Sequence, residues 1–305
     1  MLPGSLPEIL ASLMACPNCG GPLAGEGELR CGACGATYPV RDGIPRMSPG
    51  AAQEDERMAA EWEAQAHAHA IYVDPAFIMN DWERAVLPTL FDWIGSLGGV
   101  VLDVGCGIGK LGASLTALGR DDVALVGTDF QATLLEEARV GYTARVEGDV
   151  HHLPFRDGAF AAAIASNALH HFPDTDRAMK EIARVLRPGG VFVAYDPRYV
   201  TPIETVKKLL RRNDHAFTKD HKAFRVDEYR DLLGSSGLSV TDVRTVDPLG
   251  PLVATGLDYL KVGKLGVAPK IAKLLAAADR ALVGGSGTSP FGLMLAGRAV
   301  KPAVQ

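Results

Sequence analysis

The chain has 305 residues, 47% of them hydrophobic, which is room for one large domain and a small one around a sizeable core. Its net charge of −5 is uneven: residues 201–305 hold 16 Lys/Arg against 10 Asp/Glu (+6), and the first 200 hold 15 against 26 (−11). That balance argues against a general nucleic-acid binder, which needs a dense basic face, and no apolar run approaches the roughly 18–20 residues that span a bilayer.

Residues 1–15 read as a short apolar lead-in. The string "LASLMAC" at 10–16 has the look of a lipoprotein cleavage site. No Lys or Arg precedes it, so the charged start of a signal peptide is missing and a cytoplasmic location is expected. Two knuckles follow, Cys16-x2-Cys19 and Cys31-x2-Cys34, each trailed by a glycine (Gly20, Gly35) where the backbone must turn. Four thiolates in two tight pairs form the ligand set of a tetrahedral Zn²⁺; an iron centre or a redox dithiol pair are the alternatives. Four protein ligands leave no open position, so the metal is expected to be structural. Its binding energy, on the order of 10 kcal/mol, would hold together a segment too small for a core of its own. With zinc as the favoured occupant, residues 1–50 are expected to be a separate zinc ribbon module.

From 51 to 95 the pattern is helical and suggests a lid or linker: "EDERMAAEWEAQAHAHA", then "DPAFIMNDWERAVLPTLFDWIG", which Pro88 is expected to kink or break. His67, His69, Tyr72 and Trp82 in this stretch are candidates for pocket lining or for plain core.

Residues 96–305 alternate β and α. Apolar strands at "VVLDV", "VALVGTDF", "YTARVEGDV", "FAAAIASN" and "GGVFVAYDP" are separated by helices such as "GKLGASLTALG" and "DTDRAMKEIARVL". "LSVTDVRTV" and "FGLMLAGRAVKP" supply two more strands. The expected fold is α/β, a Rossmann-like, doubly wound, mostly parallel seven-stranded sheet covered on both faces. An antiparallel pair needs only a short turn, so about 247–290, between the last two strands, reads as an insertion over the sheet rim on the substrate side.

The segment "LDVGCGIGK" (102–110) leaves a strand and enters a helix, where glycines let the backbone approach a ligand and the helix N-terminus offers unpaired N–H groups. Asp103 ahead of the glycines would repel a pyrophosphate but accept a cationic amino group. The spacing Gly105-x-Gly107-x-Gly109 differs from that of dinucleotide-binding turns. Asp129 ends the second strand 20 residues after Gly109, where a carboxylate can take both ribose hydroxyls. A ligand with a ribose and a positive end, but no phosphate, fits all three.

With "VVLDVGCGIGK", "VGTDF", "EGDVHHLPFRDGAF", "ASNALHHFPD" and "ARVLRPGGVFVAYDP" in this order, residues 97–200 resemble the class I S-adenosylmethionine (SAM)-dependent methyltransferases of the broad type 11 group. The resemblance implies SAM as cofactor. Gly105 and Gly107 would line its methionine part, Asp129 would hold its ribose, Asp149 would meet the adenine amino group with Val150 beside it, and Asn167 would lie under the sulfonium; Asp103, Cys106, Gly109 and Phe130 complete the expected cofactor-binding set. Cys106 has no cationic neighbour in sequence to activate it and reads as a small buried filler rather than a nucleophile. The cysteine module, through "LRCGACGATYPVRDGIPRM", resembles Trm112-like zinc ribbons, which stand before some methyltransferases.

Methyl transfer from a sulfonium asks the protein mainly to align the reacting atoms and exclude water, with a base only where the nucleophile starts protonated. His170 and His171 at the sheet's C-terminal rim are the base candidates, and Asp196 after the fifth strand is a further one. His151 and His152 read as structural. Residues 201–225 gather Lys207, Lys208, Arg211, Arg212, Lys219, Lys222 and Arg225, either a solvated face or a site for an anionic substrate or membrane. With the apolar-basic insertion, they favour a small-molecule acceptor, hydrophobic or anionic, with peripheral contact to a membrane as a further expectation. An rRNA guanine methyltransferase-like, RNA-modifying enzyme, which the ribbon-plus-methyltransferase layout also resembles, is the less favoured reading, with RNA the less favoured partner: residues 1–50 carry only Arg30, Arg41 and Arg46 against Glu8, Glu26, Glu28 and Asp42. A SAM-binding module without methylation activity is the third reading.

Overall fold

A computed structural model describes residues 8–48, 76–95, 98–120, 123–201, 223–283 and 287–303. The expected first lid helix with His67, His69 and Tyr72, and the cationic run 207–222, lie outside the described residues.

The larger unit is built on a sheet of seven strands: β5 (Val101–Val104), β6 (Leu125–Asp129), β7 (Ala144–Glu147), β8 (Phe160–Ser166), β9 (Leu186–Pro197), β10 (Ser239–Val246) and β11 (Met294–Val300). Their order is β10-β11-β9-β8-β5-β6-β7. β5 to β9 pair in parallel and β11 is antiparallel to both its neighbours, so β11 alone runs against the rest. β5 pairs with both β6 and β8, which makes the crevice past its C-terminal end the topological switch point where such sheets take ligands. The central strands read as unbroken apolar runs because both faces are covered: all four residues of β5 and six of seven in β8 are buried.

One face is covered by α2 (Ile78–Asp92) and α3 (Lys110–Ala117), and by the insertion helices α7 (Gly250–Tyr259) and α8 (Ala268–Val283). Ile78, Trp82 and Val86 of α2 meet Ala254, Ala272 and Ala276 of the insertion and Ile164 and Val193 of the sheet in one core. The other face carries α5 (Thr175–Val185) and α6 (Val226–Gly234). Between β6 and β7 lies α4 (Ala132–Glu137). The insertion therefore packs on α2. It is tied there by Asp279, fully buried, which accepts Trp82 Nε1–H at 3.1 Å and the backbone N–H groups of Leu249 and Gly250.

α2 runs unbroken through Pro88, contrary to the expected break. Leu87, Leu90 and Phe91 on either side are buried, and that packing outweighs the one missing N–H bond.

Within the apolar lead-in, the described residues form a helix, α1 (Glu8–Leu13), which buries Leu10 and Leu13. The ribbon proper is a four-stranded antiparallel sheet of β1 (Leu23–Ala24), β2 (Glu28–Cys31), β3 (Thr37–Arg41) and β4 (Ile44–Pro45). It docks on its own chain. Ala15 N–H donates to Pro154 O at 3.0 Å, Arg156 N–H to Leu13 O at 2.8 Å, and Met47 N–H to Glu147 O at 2.9 Å. Arg46 bridges in parallel to Glu147 of β7, the outermost strand of the large sheet, and its guanidinium holds Glu147 at 3.1 Å and Glu136 at 2.9 Å. The ribbon thereby covers an edge that would otherwise offer unpaired backbone groups.

Candidate functional site

The glycine loop leaves β5 with Gly105, Gly107 and Gly109 all at positive φ (+69°, +52° and +80°), a path that L side chains resist. A Cβ on Gly107 would meet nothing within 4 Å, so open space lies at this glycine's Cβ position. The loop is tied to β6 by Gly105 and Cys106 N–H groups donating to Thr128 O, at 2.9 and 3.0 Å.

Asp129 completes the tie. Its Oδ2 accepts Gly107 N–H and its Oδ1 accepts Gln131 N–H, both at 2.9 Å. Burial pushes its pKa up, and the N–H groups of Gln131, Gly107 and Phe130 pull against that shift. Each carboxylate oxygen carries further lone pairs, so a half-buried Asp129 can still accept from a diol.

Asp103 sits one level deeper, 3% exposed, and accepts the Tyr142 hydroxyl at 2.5 Å. Burial raises its pKa to about 7, against the lowering effect of the Tyr142 bond and with a further rise from the Asp129 charge. Cys106 is buried, and burial with the nearby Asp103 and Asp129 charges pushes its thiol up, so the filler reading fits and a thiolate does not.

Asp149 caps a 3-10 turn, Val150–His152, with Oδ1 accepting His151 N–H at 2.9 Å and contacting His151 Nδ1 at 2.7 Å. Burial alone would raise its pKa; the bonds and charge of His151 outweigh it and leave it below the usual range. His151 is buried and His152 engages Arg177, as structural histidines would be.

Asn167, at the end of β8 with φ +52°, donates through Nδ2 to Glu83 Oε1 at 3.1 Å, and Lys110 pairs with the other oxygen of Glu83. Through Glu83, α2 therefore joins Lys110 and Asn167 in one cluster beside the loop. Sequence reasoning passed over Glu83, Lys110 and Tyr142. Lys110 directly follows the last glycine and was the available signal.

At the rim, His170 and His171 lie on a second 3-10 turn, Leu169–His171. His170 is 5% exposed; its Nδ1 is 2.8 Å from Asp196 Oδ1, which also accepts His170 N–H at 3.2 Å. Asp196 is fully enclosed, with Tyr229 OH on its other oxygen at 3.0 Å, and burial lifts its pKa to about 8. Asp196 thus orients His170 and has no surface of its own to offer an acceptor. The half-buried His171 lies against it, ring centroids 4.0 Å apart.

In the ribbon the four thiol sulfurs all lie within 4.8 Å of one another, with Cys16–Cys34 at 3.7 Å and Cys19–Cys31 at 3.5 Å. Zn–S bonds of about 2.3 Å in a tetrahedron require S···S edges of about 3.8 Å, so the cage fits the ion. Bonds from the backbone N–H groups of Cys34 and Ala33 favour the Cys31 thiolate and bring its pKa to about 6. Tyr38 closes the cage from within, its OH 3.2 Å from Cys16 Sγ.

This sheet order with one reversed strand, the glycine loop and the acid at the tip of β6 define a class I methyltransferase fold. Comparison with known proteins agrees. Residues 102–194 match the family described as Methyltransferase domain, and residues 8–43 the family described as Trm112p-like protein. Methyltransferase GfsG of Streptomyces halstedii is 32% identical over 187 residues, 57% of this chain and 66% of that protein. The Mus musculus tRNA (carboxymethyluridine(34)-5-O)-methyltransferase ALKBH8 is 30% identical over 169 residues, 53% of this chain and 24% of that protein. The matched region thus spans about two thirds of one relative and about a quarter of the other. Among solved structures, a complex between the Haloferax volcanii Trm112 methyltransferase activator and a methyltransferase shares the fold at TM-score 0.52 and 20% identity, covering 81% of this chain and 98% of that one. The chain joins a Trm112-like module to a SAM-dependent-type methyltransferase domain.

Proposed function

We propose that this protein transfers a methyl group from SAM to a small-molecule acceptor. The bond between Asp129 and Gly107 carries the cofactor half of the reading: it sets a carboxylate, each oxygen with one backbone N–H and further lone pairs, beside a glycine with open space at its Cβ position. Bound SAM would supply a sulfonium methyl reactive enough to need no metal. Around it, Gly105 and Gly107 would admit the methionine part, Asp129 and Phe130 hold the ribose, and Val150 flank the adenine. Asn167 and Glu83 would bound the sulfonium end. For an acceptor that begins protonated, His170, aimed by Asp196, is the base.

Charge supports a small acceptor over RNA. Of the ribbon's three arginines, Arg46 is spent on Glu136 and Glu147, which leaves exposed Arg30 and Arg41 against exposed Glu8, Glu26, Glu28 and Asp42. The tRNA-methylating relative keeps RNA as the second reading. The test is transfer of tritiated methyl from SAM into cell extract, fractionated into organic, protein and RNA phases. Label in the organic phase is expected; label in RNA overturns the acceptor, and SAM binding without label anywhere leaves a binding module.

A further inference from the structure

The insertion carries three acids and five bases, and the structure sorts them by direction. Asp247 and Asp279 are buried, and Asp258 turns inward, its two oxygens accepting Ile78 N–H at 2.7 Å and Met79 N–H at 2.9 Å to cap α2. Lys261, Lys264, Lys270, Lys273 and Arg280 are all exposed. Between these lysines, large apolar side chains also face water: Tyr259 is 82% exposed, Leu260 71%, Leu265 78% and Leu274 71%.

The turn that presents them is not a loose end. Besides the Asp258 cap, the 3-10 segment Val262–Leu265 presses so closely on the residues leading into α2 that a Cβ on Gly263 would fall 1.7 Å from Ala76 O. The opposite sides of α7 and α8 bury Ala254, Ala268, Ala272, Leu275 and Ala276. A helix pair anchored inward by Asp258 thus leaves large apolar side chains exposed at positions interleaved in sequence with exposed cations, at a substantial cost in exposed hydrocarbon.

We propose that this segment, with Tyr259, Leu260 and Leu265 among Lys261, Lys264 and Lys270, docks the protein on an anionic lipid surface. Leucines would enter the acyl boundary, the tyrosine would sit at the headgroups, and the lysines would meet lipid phosphates. A second copy of the chain fits worse, because a two-fold contact through this face sets the same lysines against one another. RNA would answer the lysines but leave the leucines in water. The inference does not depend on the acceptor or on methyl transfer.

The test is co-sedimentation of the full chain with vesicles of phosphatidylcholine alone and with phosphatidylglycerol added. Binding is expected only with the anionic lipid, weakening as salt rises. Lys261→Gln/Lys264→Gln should lower partitioning by about fivefold per lysine, and Leu260→Ser/Leu265→Ser by at least about tenfold. Unchanged far-UV melting of these surface variants shows that they are folded. Equal or absent binding to both vesicles overturns the proposal. So does a dimer that the leucine pair abolishes without vesicle binding, or RNA binding that ignores the leucines while vesicles are not bound.

Discussion

His170 and Asp196 form a buried pair, Nδ1 to Oδ1 at 2.8 Å, with Tyr229 closing the far side of the carboxylate. The pair spans β9 and the turn after β8, so the imidazole is fixed by the sheet rather than by its own flexible loop. If His170 takes a proton from the acceptor, His170→Gln lowers kcat by about 10²–10⁴-fold with SAM affinity unchanged. Asp196→Asn lowers kcat as well and displaces the pH profile, while His171→Gln has a small effect. A silent His170→Gln beside an inactive His171→Gln would move the role to the outer histidine.

Asp129→Ala removes the acceptor for a diol and frees Gly107 N–H at once. SAM affinity is expected to weaken by about 1–3 kcal/mol in calorimetry. An unchanged dissociation constant refutes the assignment of the crevice.

Folding lifts Asp103 to about 7, so the folded protein keeps a proton that the unfolded chain releases near pH 4. This group therefore erodes stability as pH rises from about 4 to about 7, and the loss is constant above that. Asp103→Asn retains an acceptor for Tyr142 OH and should gain about 1–3 kcal/mol over the wild type at pH 8, but little at pH 4. Urea midpoints at the two pH values check it; an equal difference at both sinks the pKa argument.

Cys16→Ser, or chelation of the metal, removes binding energy on the order of 10 kcal/mol from the ribbon, as large as the whole stability of many domains. Residues 16–46 should become protease-sensitive and the melting temperature should fall, with SAM affinity held within about threefold. Loss of all SAM binding in a protein whose large domain is still folded would make the ribbon part of the cofactor site.

The strands of the large sheet were legible because burial on both faces writes them as apolar runs, and the glycine loop because positive φ leaves few other residues. The cage was legible from spacing alone. Other features were not. α1 is only six residues long, and its apolar positions acquire meaning from the domain that they bury against. Glu83 lies in an amphipathic helix where an acid reads as solvent-facing, and only the folded chain brings it to Asn167, 84 positions on. Tyr142 read as the start of a strand that in fact begins at Ala144. The contact of Arg46 with Glu147 joins residues 101 apart and has no local signature.

With zinc in the cage, that last contact would tie metal supply to solubility. Arg46 and Met47 occupy the Glu147 end of β7; once the cage empties and the segment lifts, that end of the outer strand would be left open to pair with another chain. Metal starvation would then appear first as turbidity that grows with protein concentration, ahead of any change at the methyl-transfer crevice.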